Sequence, residues 1–235
     1  MSIIIGKNPI KGAIEAKKLK KVYIAEGFKD EKILSLVKNA KIPVIVAPKN
    51  KLDSLAHGGV HQGIVGEVEN YHTYGLEEVI SDGKKKENPI MVMLDGLSDP
   101  HNLGAILRSA DAFDVSGVIY KKKGSVSLNE TVSKVSTGAI NFIKCVEVSN
   151  LSNAIEKLKK AGYWIVALDG DSNTTLMQLP KDTPLCIVVG SEGYGISRLV
   201  KENCDIIAKI PMYGKVNCLN ASLACGIALY SIRNL

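Results

Sequence analysis

The chain has 235 residues, 46% of them hydrophobic and 23% charged, a globular balance that excludes a disordered or fibrous protein and leaves room for one large domain or two smaller ones. Apolar runs such as "PIMVMLDG" and "LCIVVG" are far too short to span a bilayer, and "MSIIIGKNPIKG" lacks a long apolar region followed by a small-residue cleavage site; no membrane partner and a cytoplasmic location are expected. The formal charge of +6 leans towards the N-terminal part and favours a polyanionic partner without requiring one.

From Gly6 to about Asn70 short elements alternate: helix "NPIKGAIEAKK", strand "VYIAE", helix "DEKILSLVKNA", strand "PVIVAP", a short helix near "KLDSLA" and strand "GIVGEVE". The pattern predicts a small α/β domain over residues 1–70. Residues 71–89, "YHTYGLEEVISDGKKKENP", are polar and broken by Gly75, Gly83 and Pro89. They predict an interdomain linker with no more than a helical turn or two around "LEEVI".

Across residues 90–235 the alternation strengthens: strand "IMVMLDG", helix "NLGAILRSADAF", strand "GVIY", helix "LNETVSKVSTGA", strand "KCVEV", helix "SNAIEKLKKAG" and strand "WIVALDG". Strand "LCIVVG", helix "ISRLVKENC", strand "IIAKIP" and helix "LNASLACGIALYSIRN" complete the chain. Short apolar strands between helices predict an α/β fold with a mainly parallel sheet covered on both faces, whose ligands bind beyond the strand C-termini. Cysteines 145, 186, 204, 218 and 225 form no CxxC pair and lie mostly in apolar surroundings. They read as reduced core thiols, and no metal site is expected.

Three loops at that sheet edge carry hydrogen-bonding residues. After "IMVMLDG", Asp99 and Pro100 stop the strand, Asn102 can cap the next helix, and Arg108 lies about a turn and a half inside it. After "LCIVVG", Gly190, Gly193 and Gly195 let backbone amides approach a ligand, with Glu192 among them. The order GxxGxG is not the dinucleotide fingerprint, and no GxxxxGK[ST] occurs, so a nicotinamide oxidoreductase is excluded. The third loop, in "IPMYGKVNCLNASLACGIALY", holds Asn217, Cys218, Asn220 and Ser222 where strand gives way to helix. Helix capping is an ordinary reading of each asparagine, most of all of Asn217. The shared location of the loops instead predicts one site.

Together "LDGLSDPHNLGAILRSADAF", "IVVGSEGYGISRL" and "IPMYGKVNCLNASLACGIALY" resemble the three motifs of the SpoU (TrmH) family of S-adenosylmethionine-dependent RNA ribose 2′-O-methyltransferases. "GKNPIKGAIEA" and "HGGVHQGIVGEV" are similar to the RNA-binding domain of its RlmB branch. The resemblance implies a deep trefoil knot in residues 90–235, against the unknotted default, and a homodimer through the C-terminal domain. It implies S-adenosylmethionine held by backbone at Gly190, Ile210 and Leu219, with Met212 and Gly214 nearby. The implied target is a guanosine in large-subunit ribosomal RNA, with transfer RNA or a non-catalytic assembly role as alternatives.

The resemblance gives Arg108 the central catalytic place. An arginine is deprotonated with difficulty, so a cationic donor that lowers the hydroxyl pKa is the better role. Asn102 and Asn220 are expected to hold ribose, phosphate or Arg108, and Glu192 to orient neighbouring donors. Cys218 stands where the family commonly has serine, and a thiol is the weaker hydrogen-bonding group.

Overall fold

The computed structural model describes residues 2–68, 71–215 and 218–234. Asn217, the expected cap, lies outside the described residues. The chain divides into two compact units, Met1–His72 with Leu128–Phe142, and Thr73–Ser127 with Ile143–Leu235.

The first unit runs β1 (Ser2–Ile5), α1 (Lys7–Glu15), β2 (Leu19–Ala25), α2 (Glu31–Asn39), β3 (Val44–Ala47), α3 (Lys49–Leu55) and β4 (Ile64–Val68). Its sheet has the order β1-β4-β2-β3, with β2 and β3 parallel and the other pairs antiparallel. Sequence periodicity finds each of these elements except β1. "SIII" has no alternation to read and becomes a strand only by pairing with β4, Ser2 opposite Val68. Helix α2 starts where Asp30 accepts a hydrogen bond from the Ile33 amide at 3.2 Å and buries Ile33 and Val37 against Ile10, Val22 and Ile64.

The stretch expected as a linker contains a helix of the second unit, α4 (Leu76–Gly83). Leu76, Val79, Ile80 and Gly83 are spaced three and four apart, so one narrow stripe is buried inside a polar sequence. It packs with Val146, Ile155 and Leu158. Asp82 pairs with both Lys144 and Lys85. The Lys144 hydrogen bond, ahead of that from Lys85, holds the Asp82 carboxyl down at about 2.

After β5 (Ile90–Asp95), α5 (Pro100–Ala112) and β6 (Gly117–Lys121) comes α6 (Glu130–Val135). Although it lies within the 90–235 stretch of the sequence, α6 packs as part of the first unit. Val132 is buried there, and the following turn passes so close to α1 that a Cβ on Gly12 would stand 2.9 Å from the Gly138 Cα. Glycine at both places permits that approach.

The chain then continues through β7 (Cys145–Val148), α7 (Leu151–Lys160), β8 (Trp164–Leu168), β9 (Thr174–Thr175), β10 (Leu185–Gly190), α8 (Arg198–Glu202), β11 (Ile206–Lys209) and α9 (Ala221–Arg233). Among the described residues seven strands form a parallel sheet, ordered β7-β6-β5-β10-β8-β11-β9. All six residues of β5 are buried, which is why that strand reads as a continuous apolar run. Helix α9 packs along α5. At the far end Arg233 donates to the carbonyls of Phe113 (2.9 Å) and Asp114 (2.9 Å), just beyond α5, and to that of Asn88 (3.2 Å), just before β5.

Candidate active site

Strands β5 and β10 are neighbours at the centre of the sheet, with β6 and β7 on one side and β8, β11 and β9 on the other. The connections after β5 and β10 leave in opposite directions there, opening the crevice where ligands of parallel sheets bind. Both strands end at this edge in register, Gly190 opposite Asp95.

Helix α5 starts with Asp99 as N-cap, its Oδ1 accepting from the His101 amide at 2.8 Å, and with Pro100 in the first turn. Asn102 is therefore not the cap that the sequence suggests. It lies three residues past the cap, is only 6% exposed, and donates through Nδ2 to Glu192 Oε1 at 2.7 Å.

Glu192 sits in the tight loop after β10. Ser191 and Gly195 exchange backbone hydrogen bonds of 3.1 and 2.9 Å across this loop. A Cβ on Gly190 would fall 2.1 Å from the Gly195 carbonyl carbon. The Gly190 glycine is thus demanded by the fold of the loop, whatever it offers a ligand.

Asn220 is the N-cap of α9. Its Oδ1 accepts from the amides of Ser222 (2.9 Å) and Leu223 (3.3 Å) and from the Ser222 hydroxyl (2.6 Å). Its Nδ2 donates to Asn102 Oδ1 at 3.0 Å and to Glu192 Oε1. One amide side chain thereby serves both helix and cluster, because its oxygen and nitrogen face different partners. Two amide groups converge on Glu192 Oε1, so the carboxylate and the two neighbouring donors hold one another in place.

Beside this cluster lies a cavity at the ends of β8, β10 and β11. Gly190, Ile210, Met212 and Leu219 line it, as does Cys218; Gly214 does not. Cys218 is exposed, unlike the expected core thiol, while Cys145, Cys186 and Cys225 are buried. Burial pushes the Cys225 thiol up to about 12 and Cys204 to about 11. The charged side chains in the cavity wall are Asp169 and Glu192, with no lysine or arginine among the described lining residues. Asp169 pairs with Lys201, whose hydrogen bond is the main reason its carboxyl is held below the usual range.

Arg108 stands apart from the cluster. It is exposed on α5 and makes no hydrogen bond or ion pair among the described residues. Two acidic residues escaped the sequence reading. Asp95 is 7% exposed and accepts from the Ser197 amide at 2.7 Å, tying β5 to the turn before α8, and Asp169 enters the cavity. Both close an apolar strand with the same Leu-Asp-Gly triplet, a repeated carboxylate at the ligand edge that could have singled them out.

Comparison with known proteins places this crevice in a class. Residues 89–230 match the model of the SpoU rRNA Methylase family, and residues 3–74 match that of the RNA 2′-O ribose methyltransferase substrate-binding domain. The chain belongs to the SpoU (TrmH) family of RNA methyltransferases. A Staphylococcus haemolyticus relative named as a TrmH family tRNA/rRNA methyltransferase is 44% identical, covering 98% of this chain and 94% of its own. Among solved structures, the SpoU methyltransferase AviRb from Streptomyces viridochromogenes in complex with AdoMet has a TM-score of 0.84 at 22% identity, over 99% of this chain and 89% of that one. The Aquifex aeolicus TrmH/SpoU tRNA modifying enzyme, at 27% identity and a TM-score of 0.57, covers 68% of this chain and 81% of its own.

Proposed function

We propose that this protein methylates a ribose 2′-hydroxyl of RNA in the cytoplasm, using S-adenosylmethionine. The target would be a guanosine of large-subunit ribosomal RNA, with a transfer RNA ribose as the alternative. The observation that carries the reading is the Asn102–Glu192–Asn220 cluster at the wall of the cavity, within a chain of this family. A non-catalytic RNA-binding role has no use for a carboxylate so held.

The cavity suits the cofactor electrostatically: the sulfonium and ammonium of S-adenosylmethionine outweigh its one carboxylate, leaving a net positive charge, and the charged wall residues are two carboxylates. Ile210, Met212 and Leu219 would cover its apolar parts, with the backbone at Gly190, Ile210 and Leu219 binding its polar ones. Gly214 would act only through the course of the loop. When bound, the cofactor supplies an electrophilic methyl group. The protein must place the hydroxyl in line with that methyl and handle the departing proton.

Glu192 Oε1 is taken by two amide groups, so Oε2 is the atom that would accept the hydrogen of the 2′-hydroxyl. Arg108 would be the cationic donor that favours the developing alkoxide, brought to it by RNA lying over α5. The expected trefoil knot would lie where the chain leaves β11, between β8 and β9, and returns past the β10 loop to pack α9 on α5. The exposed apolar groove along α5 and α9, with Leu223 and Tyr230, would receive the second copy of a homodimer.

Ribose-methylation mapping of total RNA from a strain lacking the protein tests the reading directly. One ribosomal nucleotide should lose its methyl group and regain it on complementation; an unchanged map would refute the function. Arg108→Lys should lower turnover roughly a hundred-fold, and near-normal turnover would show that guanidinium geometry is irrelevant.

A further inference from the structure

A second recess adjoins the cofactor cavity and shares Ser191 and Glu192 with it. Leu97, Asp99, Asn102 and Tyr194 are among its other lining residues. Its charged lining is acidic, so phosphate is repelled, whereas a ribose and the polar edge of a base are not.

Two tyrosines stand almost wholly in water, one in the wall of this recess and one in the loop that borders the cofactor cavity. Tyr194, in the loop after β10, is 98% exposed, and Tyr213, in the loop after β11, is 97% exposed. Neither has a ring or hydrogen-bond partner for its side chain among the described residues. Tyr213 directly follows Met212, which lines the cofactor cavity. Aromatic rings left free beside a polar recess are the means by which proteins hold unpaired RNA bases.

A basic loop completes the surroundings. Lys122 and Lys123, just after β6, are exposed and unpaired among the described residues. Their loop is fastened to the recess wall, with the Ser125 hydroxyl and the Val126 amide donating to the Leu97 carbonyl at 2.9 and 2.8 Å. Cations therefore flank an acidic recess, which separates phosphates from the nucleoside that enters.

We propose that Tyr194 and Tyr213 stack on the acceptor base and its neighbour, and that Lys122 and Lys123 hold the flanking phosphates, setting the ribose in the recess beside the cofactor. This rests on the methyl-transfer reading for the identity of the acceptor, but RNA binding tests it separately. The assays use the full chain, tritiated S-adenosylmethionine and ribosomal RNA from the deletion strain.

Tyr194→Ala and Tyr213→Ala should each raise KM for RNA roughly ten-fold. Tyr194→Phe and Tyr213→Phe should restore it to within about two-fold, since a phenyl ring stacks as well. Cofactor affinity by calorimetry should not change. In anisotropy with a fluorescein-labelled single-stranded RNA, the alanine variants should bind roughly ten-fold more weakly. Changing both Lys122 and Lys123 to Gln should make the plot of log affinity against log salt shallower by about 1.4.

Unaltered RNA affinity in both alanine variants, or phenylalanine as damaging as alanine, would overturn the stacking. An unchanged salt slope would overturn the phosphate contacts. A wild-type protein that methylates no RNA would sink the function proposed above, while the anisotropy comparison would still decide for or against these contacts.

Discussion

Helices α5 and α9 both begin at the site, and each sends an asparagine amide to Glu192, but they divide the labour differently. In α5 one residue caps and another works: Asp99 takes the His101 amide, and Asn102, three residues on, points into the cluster. In α9 a single residue does both, with Asn220 capping through its oxygen and donating through its nitrogen. Where the tasks are separate, stability and activity should fail separately. Where they are merged, one substitution should damage both.

The largest effect is expected at the shared acceptor. Glu192→Ala should reduce kcat roughly a hundred- to a thousand-fold and leave thermal unfolding nearly unchanged, because Glu192 is exposed and caps neither helix. Turnover within a few-fold of wild type would remove the cluster from the mechanism and leave the comparison purely structural.

Asn220 comes next. Asn220→Ala should lose activity roughly a hundred-fold through misplacement of Glu192 and about 1 kcal/mol of stability through the lost cap. Asn220→Ser should regain most of the stability, since serine caps nearly as well, and none of the activity, since its hydroxyl is too short to span to Asn102 and Glu192. Unfolding curves read beside turnover check both halves. Recovery of activity by serine would show that capping alone was required.

The asymmetry also explains what could be read from the sequence. Most elements were legible because their apolar residues repeat with the period of a helix or run unbroken as buried strands, as in "IMVMLDG". The three motif loops could be placed at one sheet edge for the same reason. Hidden from view were features decided at long range: β1 exists by pairing with β4, and α6 joins the first unit across an intervening stretch of the second. Helix α4 was obscured by its polar face, although its buried stripe has helical spacing. Within the site, Asp99 and Asn102 are both good caps, so the sequence leaves the cap of α5 ambiguous, and the pairing of Asn102 with a residue 90 positions later settles it. The position of Arg108 outside the cluster is likewise a matter of helix phase: six residues beyond Asn102, it faces another side of α5.

The smallest expected effects belong to Asp99, and they test the division most directly. Asp99→Ala removes the cap of α5 and should cost about 1 kcal/mol, with the loss softened because Pro100 already holds its own φ near the helical value. Asn102 should keep its place, since its neighbours Leu103, Ile106 and Leu107 are fully buried and α5 is clamped along α9. Turnover should therefore fall by no more than about three-fold, a shift of well under 1 kcal/mol in the barrier. Asn102→Ala should do the opposite, keeping the cap and losing activity roughly ten-fold or more. Parallel unfolding and turnover measurements on the two variants decide the matter: if Asp99→Ala costs as much turnover as Asn102→Ala, the start of α5 acts as one unit, as Asn220 does in α9, and the proposed separation is wrong.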